Sequence, residues 1–367
     1  MHNDSSHDQF IQSLKKNVPL APLTTLGIGG AARCFADCAT VEALSAGVTW
    51  ARQEGLPLFV LGGGSNIVVA DEGFAGLVLR VAIRGISTEV DNNHALVTAG
   101  AGEAWDSFVA HTIERNLAGL ECLSGIPGLV GATPIQNVGA YGQEISETLR
   151  EVEALDLATG SLARFNPHEC EFGYRASRFK GRDNGRYVIT RVRYALQVNG
   201  APAVRYAELQ RYLTERGATA PTLAQVRDAV ITIRRRKAMV IDSMDNDSRS
   251  VGSFFMNPII SEEEFERLKS TAAPFIRSGE TMPAFPTAEG RVKLSAAWLI
   301  ERAGIRRGTI HGNVGTSSKH ALAIINRGNG TAREVLELCR LIQSCVRDQF
   351  GVELMPEPIF VGVTSKS

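Results

Sequence analysis

Ser124-Gly125-Ile126-Pro127-Gly128-Leu129-Val130-Gly131-Ala132, continued by Gln136-Asn137-Val138-Gly139-Ala140-Tyr141-Gly142, is the stretch on which the reading of this chain turns. Glycines at this density let successive backbone N–H groups converge on one point, an arrangement that holds a phosphate without a charged side chain. Towards the N-terminus a second loop of the same kind occurs. The apolar run Pro57 to Leu61 reads as a buried strand and ends in Gly62-Gly63-Gly64-Ser65-Asn66, whose last two residues add side-chain donors. One such loop alone is more often a tight turn, but two of them suit a ligand with a pyrophosphate. A Rossmann unit needs G-x-G-x-x-G between a strand and a helix, with an acid about 20 residues on. Neither loop has that context, and Gly27-Ile28-Gly29-Gly30 lacks a preceding apolar strand. A dinucleotide held by a fold of another type is the expectation.

Outward from these loops the chain alternates between the two regular periods. Val41, Leu44, Val48 and Ala51 recur at helical spacing, with Thr40 as N-cap and Gly55 closing the helix. Strands are expected at Leu77 to Val81, Ala95 to Ala99, Val152 to Asp156 and Arg186 to Ala195, and a helix at Ala104 to Arg115. Beyond Pro221 the texture changes. Leu223 to Arg236 reads as a helix, Ser253 to Met256 as a short strand, and Glu262 to Ala272, Ser295 to Ala303 and Thr331 to Phe350 as helices. In the last, Val335, Leu338, Ile342, Cys345, Val346 and Phe350 form one apolar stripe. Residues 1–18 are polar and aperiodic and are expected to be a disordered lead-in, with structure beginning near Leu20. The fold class is α+β, with a cofactor-binding part of two α+β subdomains over 19–215 and a smaller C-terminal substrate-binding part over 216–367.

Composition narrows the function. The 367 residues are 44% hydrophobic and 21% charged, a globular profile too long for one ordinary core. Lys plus Arg and Asp plus Glu are 39 each, so no global field attracts nucleic acid or an anionic membrane. The 36 glycines exceed the usual share of about 7%. Six cysteines show no CxxC pair and no zinc spacing, so no metal site is expected. The first residues carry no apolar signal-peptide core, and the apolar stretches are too short to span a membrane; a cytoplasmic protein with reduced thiols is expected.

Thr25-Leu26-Gly27-Ile28-Gly29-Gly30, Leu61 to Asn66 and Ser124 to Gly142 resemble the flavin-binding half of the UDP-N-acetylenolpyruvoylglucosamine reductases. The likeness continues, in order, through Glu171-Phe172-Gly173-Tyr174-Arg175, Gly252-Ser253-Phe254-Phe255-Met256-Asn257-Pro258, Lys293-Leu294-Ser295-Ala296-Ala297-Trp298-Leu299-Ile300 and Pro356-Glu357. The resemblance implies FAD held non-covalently on a fold of the vanillyl-alcohol-oxidase type. In agreement, no histidine lies between residue 41 and Asn66, where some relatives attach flavin covalently. It further implies NADPH as electron donor, reduction of UDP-N-acetylglucosamine enolpyruvate to UDP-N-acetylmuramate in peptidoglycan precursor synthesis, and a monomer whose partners are these small molecules. The cofactor would lie along Gly62, Gly63, Gly64, Ser65, Asn66, Ser124, Gly125, Ile126, Pro127, Gly131, Ala132, Gln136, Asn137, Gly139, Ala140 and Tyr141.

Reduction of an enolpyruvyl ether needs a hydride at the methylene carbon, a clamp on the carboxylate and a proton for the other alkene carbon. Arg175 aligns with the family's active-site arginine and suits a carboxylate bidentately; taken alone, an Arg after Tyr is more often a surface residue. Ser253 aligns with the proton donor, although unaided it reads as a cap or turn serine. Glu357, between Pro356 and Pro358, aligns with the second activating residue and is returned to the active site by the last segment. Tyr174, Tyr206, Lys237, Asn257 and His320 align with substrate contacts, and Tyr206 matches the tyrosine loop of one family subtype. Lys237 ends the basic run Arg234-Arg235-Arg236-Lys237, which suits a pyrophosphate. Two departures stand out: Met256 replaces a frequent lysine, and residues 238–250 contain no proline, so a mobile approach to Ser253 is expected. The alternative function is an FAD-dependent sugar or alcohol oxidase on the same fold, which needs neither the Gly-Ser-Phe-Phe nor the Pro-Glu segment.

Overall fold

The computed structural model describes residues 3–276, 280–287 and 289–363. The chain divides into two compact units: residues 1–18, 31–64 and 74–240 form the first, and 19–30, 65–73 and 241–367 the second.

In the first unit the two apolar strands expected from sequence, Leu58–Leu61 and Phe74–Val81, pair in parallel, and Ala31–Cys38 adds in parallel on the other side of Phe74–Val81. A second, antiparallel sheet runs in the order Leu162–Phe165, Leu149–Asp156, Tyr187–Val198, His94–Gly100, Ile86–Asp91, and Leu117–Ala118 pairs with the end of Tyr187–Val198. The helix Val41–Gln53 begins at Thr40, whose hydroxyl accepts from the Ala43 amide, and Gly55 follows with φ +62°. Trp105, Phe108 and Tyr194 form a fully buried aromatic cluster with centroids 5.4–6.0 Å apart. This cluster fixes the decisive loop at two points: Trp105 Nε1 donates to the Leu123 carbonyl at 3.0 Å, and the Tyr194 and Thr133 hydroxyls share a 2.8 Å bond.

Two expectations are corrected here. Within the lead-in expected to be disordered over 1–18, the described residues are ordered: Asn3–Ser13 is helical and Lys15–Pro19 pairs with Ala31–Cys38, and residues 1–2 lie outside the described residues. Phe10 is the anchor. It is buried, lies 6.2 Å from the Trp50 ring, and fills the space a side chain at Gly47 would need. One aromatic in a polar stretch leaves little periodic signal, yet it buries enough surface to order a short helix against a ready-made face. The division at 215/216 also shifts. Helices Ala207–Thr214 and Leu223–Arg236 share a core of Cys122, Leu209, Tyr212, Leu213, Val226, Ala229, Val230 and Ile233, so the first unit continues to Val240.

The second unit is organised by the helix Ala332–Phe350, whose apolar stripe joins Trp298, Leu299 and Ile300 in one core. Its three small β elements are Ile259–Ser261 with Arg291–Leu294 and Ala284–Pro286; Ile310–His311 with Val314–Thr316 and Ile324–Asn326; and Ile359–Val361 parallel to Ile67–Val69. Side-chain bonds explain why two early segments belong to this unit. Asp71 accepts from the Ala332 and Arg333 amides at the helix start, and Asn326 Nδ2 donates to the Leu26 and Gly27 carbonyls. Residues 238–250, expected to be mobile, carry a short 3-10 turn in which Asp247 accepts from Ser317 Oγ and from the Ser318 amide and hydroxyl.

Candidate active site

In the first unit the two glycine loops touch. A Cβ on Gly63 would stand 2.7 Å from Gly128 Cα, closer than real side chains pack, whereas one on Gly62 would meet nothing within 4 Å. Gly64 adopts φ +61°. Backbone thus comes close to backbone at Gly63, and open space lies beside Gly62. The fit to FAD is good at the first loop, where among the described residues the Gly63 and Gly64 amides have no hydrogen bond within the chain. The second loop differs from expectation. The Gly125 amide donates to Asp106 Oδ1 at 2.6 Å, Gly131 to the Ala101 carbonyl, and Ala132 to the Leu129 carbonyl. Those donors hold the loop in shape and are not presented to a ligand. Ser124 likewise turns its hydroxyl onto the Glu121 carbonyl. Ile126 packs against the main core of the unit, and Pro127 sits between it and Gly128.

Asn137 is the junction of this region. Buried and at φ +45°, it donates from Nδ2 to Glu144 Oε2 and to the Gly173 carbonyl, and accepts at Oδ1 from the Ser146 amide. Gly139 and Ala140 pair with Gln143 and Glu144 in a small hairpin turned by Tyr141 and Gly142. Gln136 accepts from Lys180 Nζ. The bond to Gly173 couples this loop to the next expected site. Gly173 and Ala176 exchange both backbone hydrogen bonds, so Tyr174 and Arg175 form the tip of a tight turn, with Arg175 at φ +53°. A non-glycine residue in that region is strained and persists only where the surroundings impose it. The guanidinium lies 5.9 Å from the Tyr174 ring centroid.

Tyr141 stands edge-on to Tyr206 with centroids 5.6 Å apart, and Tyr206 is 48% exposed. Burial pushes the Tyr141 phenol up to about 12, although Arg234 pulls the other way. Lys237 Nζ is bound to Glu208 Oε2 at 2.6 Å. Sequence reading missed two residues around this cluster, Asp106 and Arg227, and saw Arg234 only as part of a basic run. Arg227 grips both oxygens of Asp106 at 2.6 and 2.8 Å. Burial raises the Asp106 carboxyl, but hydrogen bonds from Arg227 and Gly125 outweigh it and leave it below the usual carboxylate range. Asp106 and Arg227 are 121 residues apart, so no local pattern announces the pair.

The second unit brings Ser253 and Glu357 onto neighbouring backbone. Ser253 to Met256 is not the expected strand. It makes a single bridge, Phe255 with Pro356, flanked by Met256 N–H to Met355 O and Glu357 N–H to Phe254 O at 2.9 Å. Phe254 N–H donates instead to the Leu322 carbonyl at 2.7 Å and Ile359 N–H to the Asn66 carbonyl at 3.0 Å, so the pairing stops at this bridge. Phe254 and Phe255 are both buried and hold the segment down. Ser253 Oγ makes no hydrogen bond within the chain among the described residues. Asn66 Nδ2 reaches the Glu357 carbonyl at 3.3 Å and the Ile359 amide donates to the Asn66 carbonyl, so Asn66 and its neighbour Ser65 belong to this cluster. Asn257 Oδ1 accepts from the Ala296 amide and so caps the helix Ala296–Arg302. His320 lies in the turn before Ile324–Asn326, its amide bound to Ser317 Oγ.

Comparisons with known proteins agree with this construction. Residues 32–166 match the model of an FAD binding domain, and residues 243–361 match the C-terminal domain of UDP-N-acetylenolpyruvoylglucosamine reductase. The UDP-N-acetylenolpyruvoylglucosamine reductase of Thermobifida fusca is 50% identical over 354 residues, 96% of this chain and 99% of the relative. That of Streptomyces coelicolor is 45% identical over 95% of this chain and 90% of the relative. Among solved structures, the reductase of Thermus caldophilus matches with a TM-score of 0.63 at 26% identity, over 95% of this chain and 99% of that one. The fold is therefore an α+β FAD-binding fold followed by a C-terminal domain. The chain belongs to the UDP-N-acetylenolpyruvoylglucosamine reductase family, whose members are flavin-dependent oxidoreductases using FAD and NADPH.

Proposed function

We propose that this protein reduces UDP-N-acetylglucosamine enolpyruvate to UDP-N-acetylmuramate, with Arg175, Ser253 and Glu357 as the catalytic residues. The observation that carries the assignment is the bridge between 254–256 and 355–357, which sets Glu357 beside the segment bearing Ser253. Bound FAD supplies the hydride chemistry between NADPH and the substrate. Everything else falls to side chains. Arg175, at the tip of its turn, holds the substrate carboxylate and stabilises the negative charge that develops on it. Ser253 delivers a proton to the alkene carbon that does not receive hydride, and Glu357 supports the enolic form of the carboxylate.

Tyr174, Tyr206, Lys237, Asn257 and His320 are proposed as contacts to the UDP-sugar. Lys237 is released to the pyrophosphate by exchanging Glu208, and Asn257 keeps its amide nitrogen for substrate while its oxygen caps a helix. The edge-to-face pair of Tyr141 and Tyr206 supports assignment to the subtype with a tyrosine loop. The protein is read as a cytoplasmic monomer; no helix among the described residues is long and apolar enough to cross a membrane. The test is an anaerobic absorbance trace of the flavin, with NADPH added first and the enolpyruvyl UDP-sugar second. Bleaching followed by recovery supports the reading. Bleaching without recovery would move the function to an oxidase or another acceptor.

A further inference from the structure

Glu121 is a buried acid, 1% exposed, at the start of the 3-10 turn Glu121–Leu123. Both of its oxygens take N–H donors. Oε2 accepts from the Gly119 amide at 2.8 Å, and Oε1 from the Ala203 amide at 2.7 Å and from Gln143 Nε2 at 3.4 Å. A carboxylate accepts at either oxygen, whereas a glutamine here would set an NH2 group against one of these donors. Ala203 lies between Pro202 and Val204 in a segment without helix or strand, so its peptide groups need partners from elsewhere. Glu121 takes its N–H, and the neighbouring Cys122 thiol donates to its carbonyl at 3.0 Å. Burial pushes that thiol up to about 12, so it remains an S–H donor at working pH. Gln143 joins the two holds, since its Oε1 accepts from the Cys122 amide at 3.0 Å while its Nε2 faces Glu121.

Three residues beyond Ala203 stands Tyr206, at the N-cap of Ala207–Thr214 and edge-on to Tyr141. The other bonds of this arm are weaker anchors. Arg205 reaches Glu147 at 2.8 Å, but the pair is exposed and such pairs contribute little. The Val204 carbonyl accepts from Gln210, which belongs to the helix that the arm itself leads into. We propose that Glu121 and Cys122 are positioning residues: by holding the N–H and the carbonyl of Ala203 they set the Tyr206 ring where the UDP-sugar meets it. The inference rests on the reading of Tyr206 as a substrate contact. Neither residue touches substrate. They raise the fraction of molecules whose arm is ready to bind, and apparent affinity scales with that fraction.

The experiment measures KM and kcat for the enolpyruvyl UDP-sugar, the Kd of oxidised FAD and the rate of FAD bleaching by NADPH in Glu121→Gln, in Tyr206→Ala and in the double variant. Glu121→Gln is expected to raise KM about tenfold. Its kcat, FAD binding and bleaching stay within about twofold of wild type. In the Tyr206→Ala background the same change adds less than about twofold, because the group it acts through is gone. Hydrogen exchange of the Ala203 amide is expected to be about tenfold faster in Glu121→Gln than in wild type. An unchanged KM in Glu121→Gln where Tyr206→Ala raises it would overturn the proposal, as would full additivity in the double variant, or FAD binding and bleaching that fall together with affinity for the sugar. Should Glu121→Gln fail to fold, Cys122→Ala is read beside Cys122→Ser, whose hydroxyl keeps a donor for the Ala203 carbonyl. A rise of at least about threefold in KM with alanine that serine restores supports the proposal. No rise, or one that serine leaves in place, overturns it. Tyr206→Ala with a wild-type KM would defeat the reading of Tyr206 as a contact, and the proposal with it, a result visible before any change at Glu121 is made.

Discussion

Arg175 and Ser253 are held by opposite means. Arg175 stands at φ +53° on a two-residue tip, and the turn beneath it is steadied by a side chain, Asn137, reaching the Gly173 carbonyl at 3.1 Å. The same neighbourhood contains Asp106 with Arg227, and the half-buried Arg234. Ser253 lies in a segment fixed by backbone: Phe254 and Met256 bond to residues 357 and 355, with two buried phenylalanines beneath. A cation that must meet a carboxylate needs an environment that fixes charge, and that takes a network of side chains. A hydroxyl that gives up a proton needs a stable backbone position and no competing acceptor. The first design is therefore sensitive to substitutions away from the reacting groups, and the second is not.

The substitutions that strain this contrast fall in a clear order. Ser253→Ala removes the proton donor and is expected to lower turnover by about a thousandfold without changing FAD content. Arg175→Gln keeps a hydrogen-bonding side chain at the tip but removes the charge, and is expected to cost about a hundredfold, mostly in kcat/KM for the UDP-sugar. Steady-state kinetics with NADPH in excess measures both, and an Arg175→Gln enzyme with normal kcat/KM would remove Arg175 from the site. Next comes Asn137→Ala, which touches no substrate in this account. It strips three hydrogen bonds from a buried residue and leaves alanine at positive φ, so a loss of about 2–4 kcal/mol in urea denaturation is expected, together with a higher KM. A stable Asn137→Ala variant with wild-type kinetics would break the claim that the first region depends on its network.

Acid sharpens the comparison further. In the first unit Asp106 is lowered because Arg227 and the Gly125 amide outweigh the upward effect of burial. In the second, Asp247 is lowered because Ser318 and Ser317 do the same. Each carboxyl has a folded value below the unfolded one of about 3.9, so its stabilisation is complete above about pH 5 and is lost as pH falls through the folded value. Urea midpoints at pH 7, 5, 4 and 3 should fall below pH 5, and the combined Asp106→Asn and Asp247→Asn variant should show a shallower fall. An equal slope in that variant would contradict the assignment. The smallest effect is expected at Met355, 58% exposed beside the bridge to Ser253–Met256. Met355→Ala keeps every backbone bond and should change stability and turnover by no more than about 0.5 kcal/mol.

What could be read beforehand follows the same division between local and distant causes. The helices Val41–Gln53, Leu223–Arg236, Glu262–Ala272 and Ala332–Phe350 carry their own stripes and caps, and they lie within about two residues of where periodicity put them. The glycine loops announced a phosphate-bearing ligand, and the ordered motifs named the family. The rest depends on contacts that sequence spacing does not encode. Phe10 orders the N-terminus through Trp50 and Gly47; Asp71 and Asn326 recruit early segments into the second unit; Asp106 takes up the Gly125 amide that the loop seemed to offer a ligand. The strand expected at Ser253–Met256 failed because the Phe254 amide turns to the Leu322 carbonyl and the Ile359 amide to the Asn66 carbonyl, partners visible only in the folded chain. Arg234 was legible as one of four basic residues, but its burial was not.

The central claim is that Ser253 serves the proton half of the reaction and has no part in electron entry. Anaerobic stopped-flow on Ser253→Ala tests it most directly, recording FAD bleaching by NADPH and its recovery with the enolpyruvyl UDP-sugar as separate rates. The account predicts bleaching within about twofold of wild type and recovery slower by about a thousandfold. Recovery at the wild-type rate, or an equal fall in both rates, would contradict it.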